Sequence, residues 1–177
     1  MGLPIRKKQQ IQTERLTIKP YDSGDLDALV ELLTDPVITE TFMVPEFPSR
    51  KQAEELAKKL ITFSRIEDTT HLEYGIYLDG KLIGFINDCV IEDAQIEIGY
   101  AIHPHFHAHG YATEAVRAIL RELQEMGFRR VRAGHFAENI ASRRVMEKCG
   151  MQLTDETDEE ACRGQHPICR YCEICFR

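Results

Sequence analysis

The chain has 177 residues, of which 43% are apolar and 29% charged, a balance typical of one globular domain spanning residues 1–177 around a single core. This composition excludes collagen-like, low-complexity and disordered chains. A formal net charge of −7 argues against a nucleic acid as the principal partner, because the summed field repels phosphate backbones. No apolar run approaches the roughly 18 residues of a membrane span, and no signal-peptide pattern follows the basic N-terminal segment. We therefore expect a cytoplasmic protein with no membrane partner.

Six cysteines raise the question of a disulfide framework or a metal site. Without a secretion signal, and with a core large enough to fold unaided, reduced thiols are the expected state. Four cysteines lie late in the chain, at Cys162, Cys169, Cys172 and Cys175, near His166. A three-residue step along a strand sends successive side chains to opposite faces, so these thiols converge on zinc only if the segment is a loop. We expect no metal.

The first third of the chain predicts one strand and two helices. Apolar and polar residues alternate over 13–19, as they do in a strand. A helical stripe covers 26–33 and ends before Pro36, because the residue before a proline disfavours the helical conformation. A second helix is expected to begin at Ser49, where Ser49 and Gln52 match a capping box.

The middle of the chain predicts a hairpin and a third strand. Strand-like runs cover 71–78 and 81–86, and the Asp79-Gly80 pair between them tolerates the positive φ of a tight turn. The third strand, over 95–102, points alternate side chains to opposite faces. One face carries Ile96, Ile98, Tyr100 and Ile102, and the other carries Glu97, Gly99 and Ala101.

The remainder predicts further helices and strands in alternation. A long amphipathic helix covers 110–126, and Gly127 follows it as a C-terminal cap. After it we expect a strand over 131–136, a helix over 139–149, a strand over 151–154, an exposed acidic loop over 155–160 and a last strand over 168–176. This order predicts an α/β fold with a mixed sheet and helices on both faces.

The turn-rich run from His103 to Ala112 leads directly from a strand into the long helix. Backbone N–H groups at a helix N-terminus lack intrahelical partners and bind phosphate groups, and Gly110 lets a ligand approach the backbone closely. The glycine spacings of P-loop and dinucleotide sites are absent, which leaves coenzyme A as a ligand class. The alternating histidines at 103, 105, 107 and 109 have no Asp, Glu or Cys to complete a metal site, so a plain loop is favoured.

Three segments that follow one another along the chain carry a family resemblance: Ile96–Tyr100, His107–Ala115 and Asn139–Met151. Together with Thr13–Leu16 near the start and Tyr171–Ile174 near the end, they resemble the GCN5-related N-acetyltransferase (GNAT) family, and within it the ribosomal-protein N-acetyltransferase type most closely. The resemblance implies the acyl-CoA N-acyltransferase fold, a single domain with a mixed, mostly antiparallel sheet. It also implies acetyl-CoA as cosubstrate, without a metal.

The same resemblance implies where the cofactor binds. The family's pyrophosphate signature falls on His107, Gly110 and Ala112, with His107 in place of the usual Gln or Arg and Ala108 in place of a frequent glycine. An alanine there obstructs any backbone that needs positive φ. Pantetheine is expected to pair with the backbone from Ala101 to His103. The residues implied in cofactor binding are Ala101, Ile102, His103, His107, Ala108, His109, Gly110, Tyr111, Ala112, Thr113 and Asn139.

Two residues are expected to handle protons. A partly buried Glu97 would accept the proton of the attacking amine, although a strand glutamate is also commonly solvated or salt-bridged. Many family members protonate the leaving thiolate with a tyrosine, but Met146 stands at that position, which leaves Ser142 as the nearest donor. Ser142 could equally serve as a first-turn hydroxyl that satisfies backbone, with the thiolate leaving unaided.

The expected reaction is direct acetyl transfer in a ternary complex to a primary amine, without a covalent enzyme intermediate. The acceptor could be a protein N-terminus, a lysine, a polyamine, an aminoglycoside or another small amine, since the net negative charge fits a cation. Two predicted loops, 39–48 and 155–167, face the acceptor and carry no readable specificity code. An inactive coenzyme A-binding sensor or regulatory module is the alternative, and the sequence leaves open whether the chain forms a homodimer.

Overall fold

A computed structural model describes residues 3–42, 44–67 and 69–177. The elements in chain order are β1 (Ile11–Gln12), β2 (Leu16–Lys19), α1 (Leu26–Thr34), α2 (Pro36–Thr41), α3 (Arg50–Ser64), β3 (Glu73–Leu78), β4 (Lys81–Glu92), β5 (Gln95–Ile102), a short 3₁₀ turn (Pro104–Phe106), α4 (Tyr111–Glu125), β6 (Arg130–Phe136), α5 (Ile140–Lys148), β7 (Gln152–Glu159) and β8 (Ile168–Cys175). Among these elements, no helix is long and apolar enough to span a membrane.

The strands form one sheet in the order β1-β2-β3-β4-β5-β6-β8-β7. Every neighbouring pair is antiparallel except β5 and β6, which run parallel. One face packs on α4 and α5 through a core that includes Ile98, Val116 and Met146. The other face packs on α1 and α3 through Leu29, Ala57 and neighbouring apolar residues. The predicted α/β fold, with a mostly antiparallel sheet and helices on both faces, is confirmed.

The turn and cap residues read from the sequence adopt the expected backbone. Asp79 and Gly80 have φ of 48° and 79°, so the hairpin between β3 and β4 closes through two left-handed residues. Gly110 precedes α4 with φ 80°, and Gly127 follows it with φ 97°. These positive angles are strained for residues with a Cβ, which explains why glycine stands at both ends of the helix.

Helix α2 was not predicted, and it corrects the loop expected over 39–48. Asp35 ends α1, as the residue before a proline should, but its side chain also accepts hydrogen bonds from the backbone N–H groups of Val37 and Ile38 at 2.9 and 3.2 Å. Pro36 then takes the first helical position, where its missing N–H costs nothing. One Asp-Pro pair therefore ends one helix and begins the next. At the start of α3, by contrast, the Ser49 side chain makes no capping hydrogen bond, so the capping box is wrong although the helix start is right.

The acidic stretch 155–160 was predicted to be an exposed loop, and this is wrong over 155–159. Strand β7 continues through it and pairs with β8, with Thr157 opposite Arg170 and Asp158 opposite Cys169. Because β7 is the edge strand, its acidic side chains can stay in water while the backbone pairs on one side, and such charges also discourage edge-to-edge association. The loop expected over 155–167 is therefore shorter than predicted.

Candidate active site

The sheet opens in its middle between β5 and β6. Their parallel pairing extends over four residue pairs, from Gln95–Arg130 to Ile98–Ala133. Beyond it, β5 continues to Ile102 and β6 to Phe136, and within the described chain these two segments do not pair with each other. Backbone groups on the facing edges are left without strand partners, so an extended ligand could pair there as an added strand does.

The β5 edge of this gap offers one backbone donor within the segment predicted to meet pantetheine. The N–H of His103 donates to the carbonyl of Ile83 on β4 at 2.7 Å. Since successive residues of a strand point their backbone groups to opposite edges, Ile102 faces the gap. Its carbonyl already accepts a hydrogen bond from Nε2 of His107 at 2.7 Å. Of the backbone N–H groups in the predicted pantetheine segment 101–103, that of Ile102 is therefore the one that faces the gap and lacks a strand partner.

The loop before α4 presents a run of backbone N–H groups. Ala108 has φ 61° and Gly110 φ 80°, and within the part of the chain that the structure describes, the N–H groups of residues 108–113 donate to no protein acceptor. The first partnered amide is that of Glu114, which donates to the carbonyl of Gly110 at 3.0 Å. Six successive free donors at the positive end of a helix are suited to binding an anion. Ala108 was expected to obstruct a left-handed backbone conformation at this position, but it adopts that conformation.

Hydrogen bonds from the turn between β1 and β2 support this loop. The Thr13 hydroxyl donates to Glu114 Oε1 at 2.6 Å, the Arg15 backbone N–H donates to the same oxygen at 2.8 Å, and Arg15 Nε donates to Oε2 at 2.7 Å. Arg15 Nη1 also donates to the carbonyl of His109 at 2.8 Å. Although burial acts to raise it, these hydrogen bonds hold the pKa of Glu114 below its usual range. Nothing in the sequence linked these residues beyond their presence in two quoted motifs.

The four alternating histidines each engage a different partner. His103 lies 3.0 Å from a Glu31 carboxylate oxygen and accepts from the His105 N–H at 3.2 Å, while His107 binds Ile102 as described. His109 contacts the His107 carbonyl at 2.6 Å and stacks on a tyrosine ring. No group of three His, Cys, Asp or Glu side chains in the described ranges is placed to hold a metal ion. The six cysteines are free thiols.

Glu97 lies on the gap-forming strand with a side chain that is 19% exposed. Burial raises its pKa; the guanidinium of Arg132, whose Nε is 3.1 Å from Glu97 Oε2, opposes that rise, and the carboxylates of Glu160, Asp158 and Glu156 add to it. A carboxylate with a raised pKa is a stronger base near neutral pH than an ordinary surface glutamate. The position and environment are those of a candidate general base.

Ser142 and Asn139 meet at the start of α5. Asn139 caps the helix, its Oδ1 accepting from the Ser142 N–H at 3.1 Å, which leaves the amide nitrogen of Asn139 for another partner. The Ser142 hydroxyl is 3.0 Å from the hydroxyl of Tyr100 on β5. Alternation places Tyr100 on the opposite face of β5 from Glu97, so the two predicted catalytic residues approach the strand from different sides. Tyr100 was not singled out from the sequence, where it reads as one more core residue.

The family model described as an acetyltransferase (GNAT) domain matches residues 15–152. The chain is 31% identical over 144 residues to the uncharacterized N-acetyltransferase YnaD of Bacillus subtilis (strain 168), covering 80% of this chain and 82% of that protein. It is 23% identical over 147 residues to the uncharacterized N-acetyltransferase p20 of Bacillus licheniformis, covering 81% and 83%.

Solved structures share the fold. An acetyltransferase of the GNAT family from Bacillus anthracis superposes with a TM-score of 0.77 at 25% identity, covering 94% of this chain and 98% of that one. RimL, a ribosomal L7/L12 α-N-protein acetyltransferase in complex with coenzyme A, gives a TM-score of 0.80 at 17% identity and covers 94% and 97%. The microcin C7 self-immunity acetyltransferase MccE, in complex with acetyl-CoA and AMP, gives 0.81 at 16% and covers 97% and 98%. At these lower identities the likeness shows the fold.

Proposed function

Since the chain belongs to the acetyltransferase (GNAT) family and is therefore an acyltransferase, we propose that it moves the acetyl group of acetyl-CoA directly to a primary amine in a ternary complex. The family inferred from the sequence motifs is confirmed. What carries the proposal for this chain is the row of six free N–H groups at residues 108–113, next to the gap beside β5 and Glu97.

Two parts of the cofactor, the pyrophosphate and pantetheine, have candidate partners on this chain. The pyrophosphate oxygens would accept from the N–H groups of 108–113, where helix α4 adds its positive end. Pantetheine would lie in the gap between β5 and β6, where the Asn139 amide nitrogen can donate a hydrogen bond to it. His107 supports this arrangement indirectly, because it holds the Ile102 carbonyl through its ring rather than binding phosphate.

The chemical step needs a general base, a hydrogen-bond donor to the oxyanion and a way to neutralise the leaving thiolate. Glu97 accepts one proton from the acceptor ammonium, the nitrogen lone pair forms the new N–C bond, and the C–S bond breaks. The nitrogen then loses its second proton, which neutralises the departing thiolate directly or through the Ser142–Tyr100 hydroxyl pair. The Ile102 N–H is the candidate donor to the carbonyl oxygen as it gains negative charge, a contribution worth roughly 3 to 4 kcal/mol in acyl-transfer sites. The Ser142–Tyr100 hydroxyl pair can deliver a proton to the leaving sulfur, although a thiolate is already a good leaving group.

The acceptor is a primary amine. A protein N-terminus is one class, supported by the shared fold of RimL, and a lysine, a polyamine or another small amine is supported by the carboxylates of Glu156, Asp158 and Glu160 around the base. These carboxylates would attract a cation to the Glu97 side of the sheet. The coenzyme A-sensor alternative has no observation of its own in its favour.

The decisive experiment combines binding with turnover. Acetyl-CoA at 100 times its dissociation constant should stabilise the folded protein by about 2.7 kcal/mol, seen as a raised melting temperature. A panel of amines is then added, and release of the coenzyme A thiol is followed. Stabilisation with amine-dependent thiol release supports the proposal. No thermal shift would overturn it, and a shift without thiol release from any amine would favour a sensor.

A further inference from the structure

A small cavity lies on the face of the sheet that carries Glu97, beneath α1 and α3. Its volume is about 120 Å³, and its walls are mostly apolar. The lining residues are Leu33, Phe42, Val44, Pro45, Leu56, Leu60, Glu73, Phe85 and Asn87. The only polar side chains among them, Glu73 and Asn87, come from β3 and β4, so the polar end of the cavity is its floor on the sheet.

Glu73 is a buried carboxyl, with 6% of the residue exposed. The Tyr21 hydroxyl donates to its Oε1 at 2.6 Å. Burial raises the pKa of Glu73 to about 8, and hydrogen bonds from Tyr21 and Asn87 together with the charge of Lys7 oppose the rise. Lys7 does not pair with the carboxyl, since its Nζ donates to the carbonyls of Phe63 and Ser64. Among residues 3–42, 44–67 and 69–177, the carboxyl therefore has hydrogen-bond donors but no cation paired with it.

Asn87 carries an unmet hydrogen-bonding requirement. Its Oδ1 is fully buried and has no partner within the described residues. A buried acceptor without a donor is costly and rare in folded proteins, so a donor brought by a ligand would be favoured at this atom. The cavity beside it has apolar walls, so the fitting group is a hydrogen-bond donor carried on an alkyl chain.

The cavity floor is next to the reaction centre. Glu73, Asn87 and Gly99 face one another in a single row across β3, β4 and β5. Glu97 lies two residues before Gly99 on the same face of β5, so it is a diagonal neighbour of Asn87, at about 7 to 8 Å. A Cβ at Gly99 would lie 2.8 Å from the ring of Phe42 and 3.0 Å from Asn87 Oδ1. The absent side chain therefore lets the Phe42 ring and the Asn87 amide pack directly against the backbone of β5 beside the base.

We propose that this cavity selects the acceptor: the substrate is an alkylamine whose chain ends in a second hydrogen-bond donor, an amino or hydroxyl group, that binds Asn87 Oδ1 and Glu73 while the first amine lies at Glu97. This inference rests on the proposed acetyl transfer and names its substrate class. At about 1.1 to 1.2 Å per bond, a chain of four or five methylenes covers the distance between the two sites. A terminal carboxylate is excluded, because it would meet the Asn87 oxygen and the Glu73 carboxyl.

Four amines of nearly equal length test the proposal: 1,5-diaminopentane, 5-amino-1-pentanol, n-hexylamine and 5-aminopentanoate. With saturating acetyl-CoA, kcat/KM for the diamine, the amino alcohol or both should exceed that for n-hexylamine by about tenfold or more, and 5-aminopentanoate should be the poorest acceptor. In assays above about pH 8, where Glu73 is ionised, Glu73→Gln separates the two donors, because it removes the negative charge that favours an ammonium end over a hydroxyl end. A hexylamine value equal to or above both donor-ended amines would overturn the proposal.

Substitution of Asn87 tests whether its side chain causes the preference for donor-ended amines. Asn87→Leu should bring the ratio of donor-ended amine to hexylamine close to one, mainly by raising KM for the donor-ended amine. The matched control is Gln152→Leu, which removes an exposed amide from β7 and should leave the ratio as in wild type. Retention of the full preference in a folded Asn87→Leu protein would also overturn the proposal.

Failure of this inference is distinct from failure of acetyl transfer. Thiol release at one rate from all four amines contradicts the cavity's role while supporting the enzyme. If thiol release is absent, thermal stabilisation of the protein by each amine alone gives a second readout. Equal shifts for 1,5-diaminopentane and n-hexylamine would reject the cavity as a donor-selective site.

Discussion

Glu97 and Arg132 lie opposite each other across the parallel β5–β6 pair, with Glu97 Oε2 3.1 Å from Arg132 Nε. The contact is an ion pair rather than an aligned hydrogen bond, because that Nε makes no hydrogen bond in the described chain. Arg132 also binds Glu156 at 2.8 Å and stacks over the Tyr171 ring at 3.8 Å. One guanidinium is thus shared, so it moderates the effect of burial on Glu97 without cancelling it.

Glu97→Gln should lower turnover by about 10²- to 10⁴-fold, because the amide keeps the shape of the side chain and cannot accept the amine proton. Stabilisation by acetyl-CoA should stay nearly unchanged, and high pH should partly restore the rate by deprotonating the acceptor in solution. Thiol release measured across pH checks this. Wild-type turnover at every pH would show that Glu97 has a structural role only.

Arg132→Gln should move the acidic limb of the pH–rate profile to higher pH. Arg132 lowers the pKa of Glu97, so its removal raises that pKa further, and the base is then protonated over a wider acidic range. Arg130→Gln is the matched control on the same strand, since Arg130 pairs with Glu173 instead. An acidic limb that moves equally in both variants would contradict a specific action of Arg132 on Glu97.

Gly110→Ala should weaken acetyl-CoA binding by distorting the row of N–H donors. Gly110 has φ 80°, where a Cβ is strained by roughly 1 to 2 kcal/mol, and the added atom would lie 3.4 Å from Arg15 Nη2. Gly24→Ala is the control, because a Cβ there meets nothing within 4 Å and the backbone needs no positive φ. Calorimetric titration with coenzyme A measures both. Equal affinity in the two variants would remove Gly110 from the binding site.

Ala108→Gly should stabilise the protein by about 1 kcal/mol, since it relieves a left-handed alanine with φ 61°. Ala112→Gly, inside the first turn of α4, should instead destabilise it by about 1 kcal/mol. Urea unfolding at one pH compares them. Destabilisation of similar size in both would mean that the backbone at Ala108 does not need the left-handed region.

Glu73 should make the protein less stable as pH rises from about 4.5 to about 8. Between its ordinary pKa of 4.5 and the raised value of about 8, the folded state keeps a proton that the unfolded state has lost. The free energy of unfolding then falls by up to about 1.4 kcal/mol per pH unit and levels off above that window. Denaturant titrations at several pH values should show this fall in wild type and a flatter dependence in Glu73→Gln. An unchanged slope in the variant would contradict it.

Local signals predicted most of the fold. The Asp79-Gly80 turn, the stripe of α4 and the glycines at its ends depend on neighbours within a few residues, so the sequence displays them directly. Helix α2 was missed because Asp35-Pro36 was taken only as an ending, and the acidic residues of β7 were taken for a loop because charge disfavours buried strands but not edge strands.

The candidate site likewise combines residues that local motifs indicate with contacts between residues that are distant in the chain. Motifs in the sequence indicated the loop before α4 and Glu97 as candidate site residues. The structure adds contacts between site residues that are distant in the chain. His107 turns its ring to the Ile102 carbonyl, Tyr100 meets Ser142, and Asn87 joins Glu73 below the helices. Such contacts are fixed by the pairing of strands and the packing of helices, for which a single sequence has no local marker.

The hydrogen bonds from Thr13 and Arg15 to Glu114 and His109 make the conformation of the loop before α4 depend on distant parts of the chain. A segment 99 positions earlier in the chain holds the first turn of α4 and a loop carbonyl, so the loop takes its shape from the assembled sheet. A synthetic peptide covering 103–126, or the same stretch grafted onto another helix, would lack that clamp and would bear an unbalanced carboxylate beside the anion. The proposed affinity for the coenzyme is therefore expected to depend on the whole domain, and a transplanted loop should need Arg15 as well.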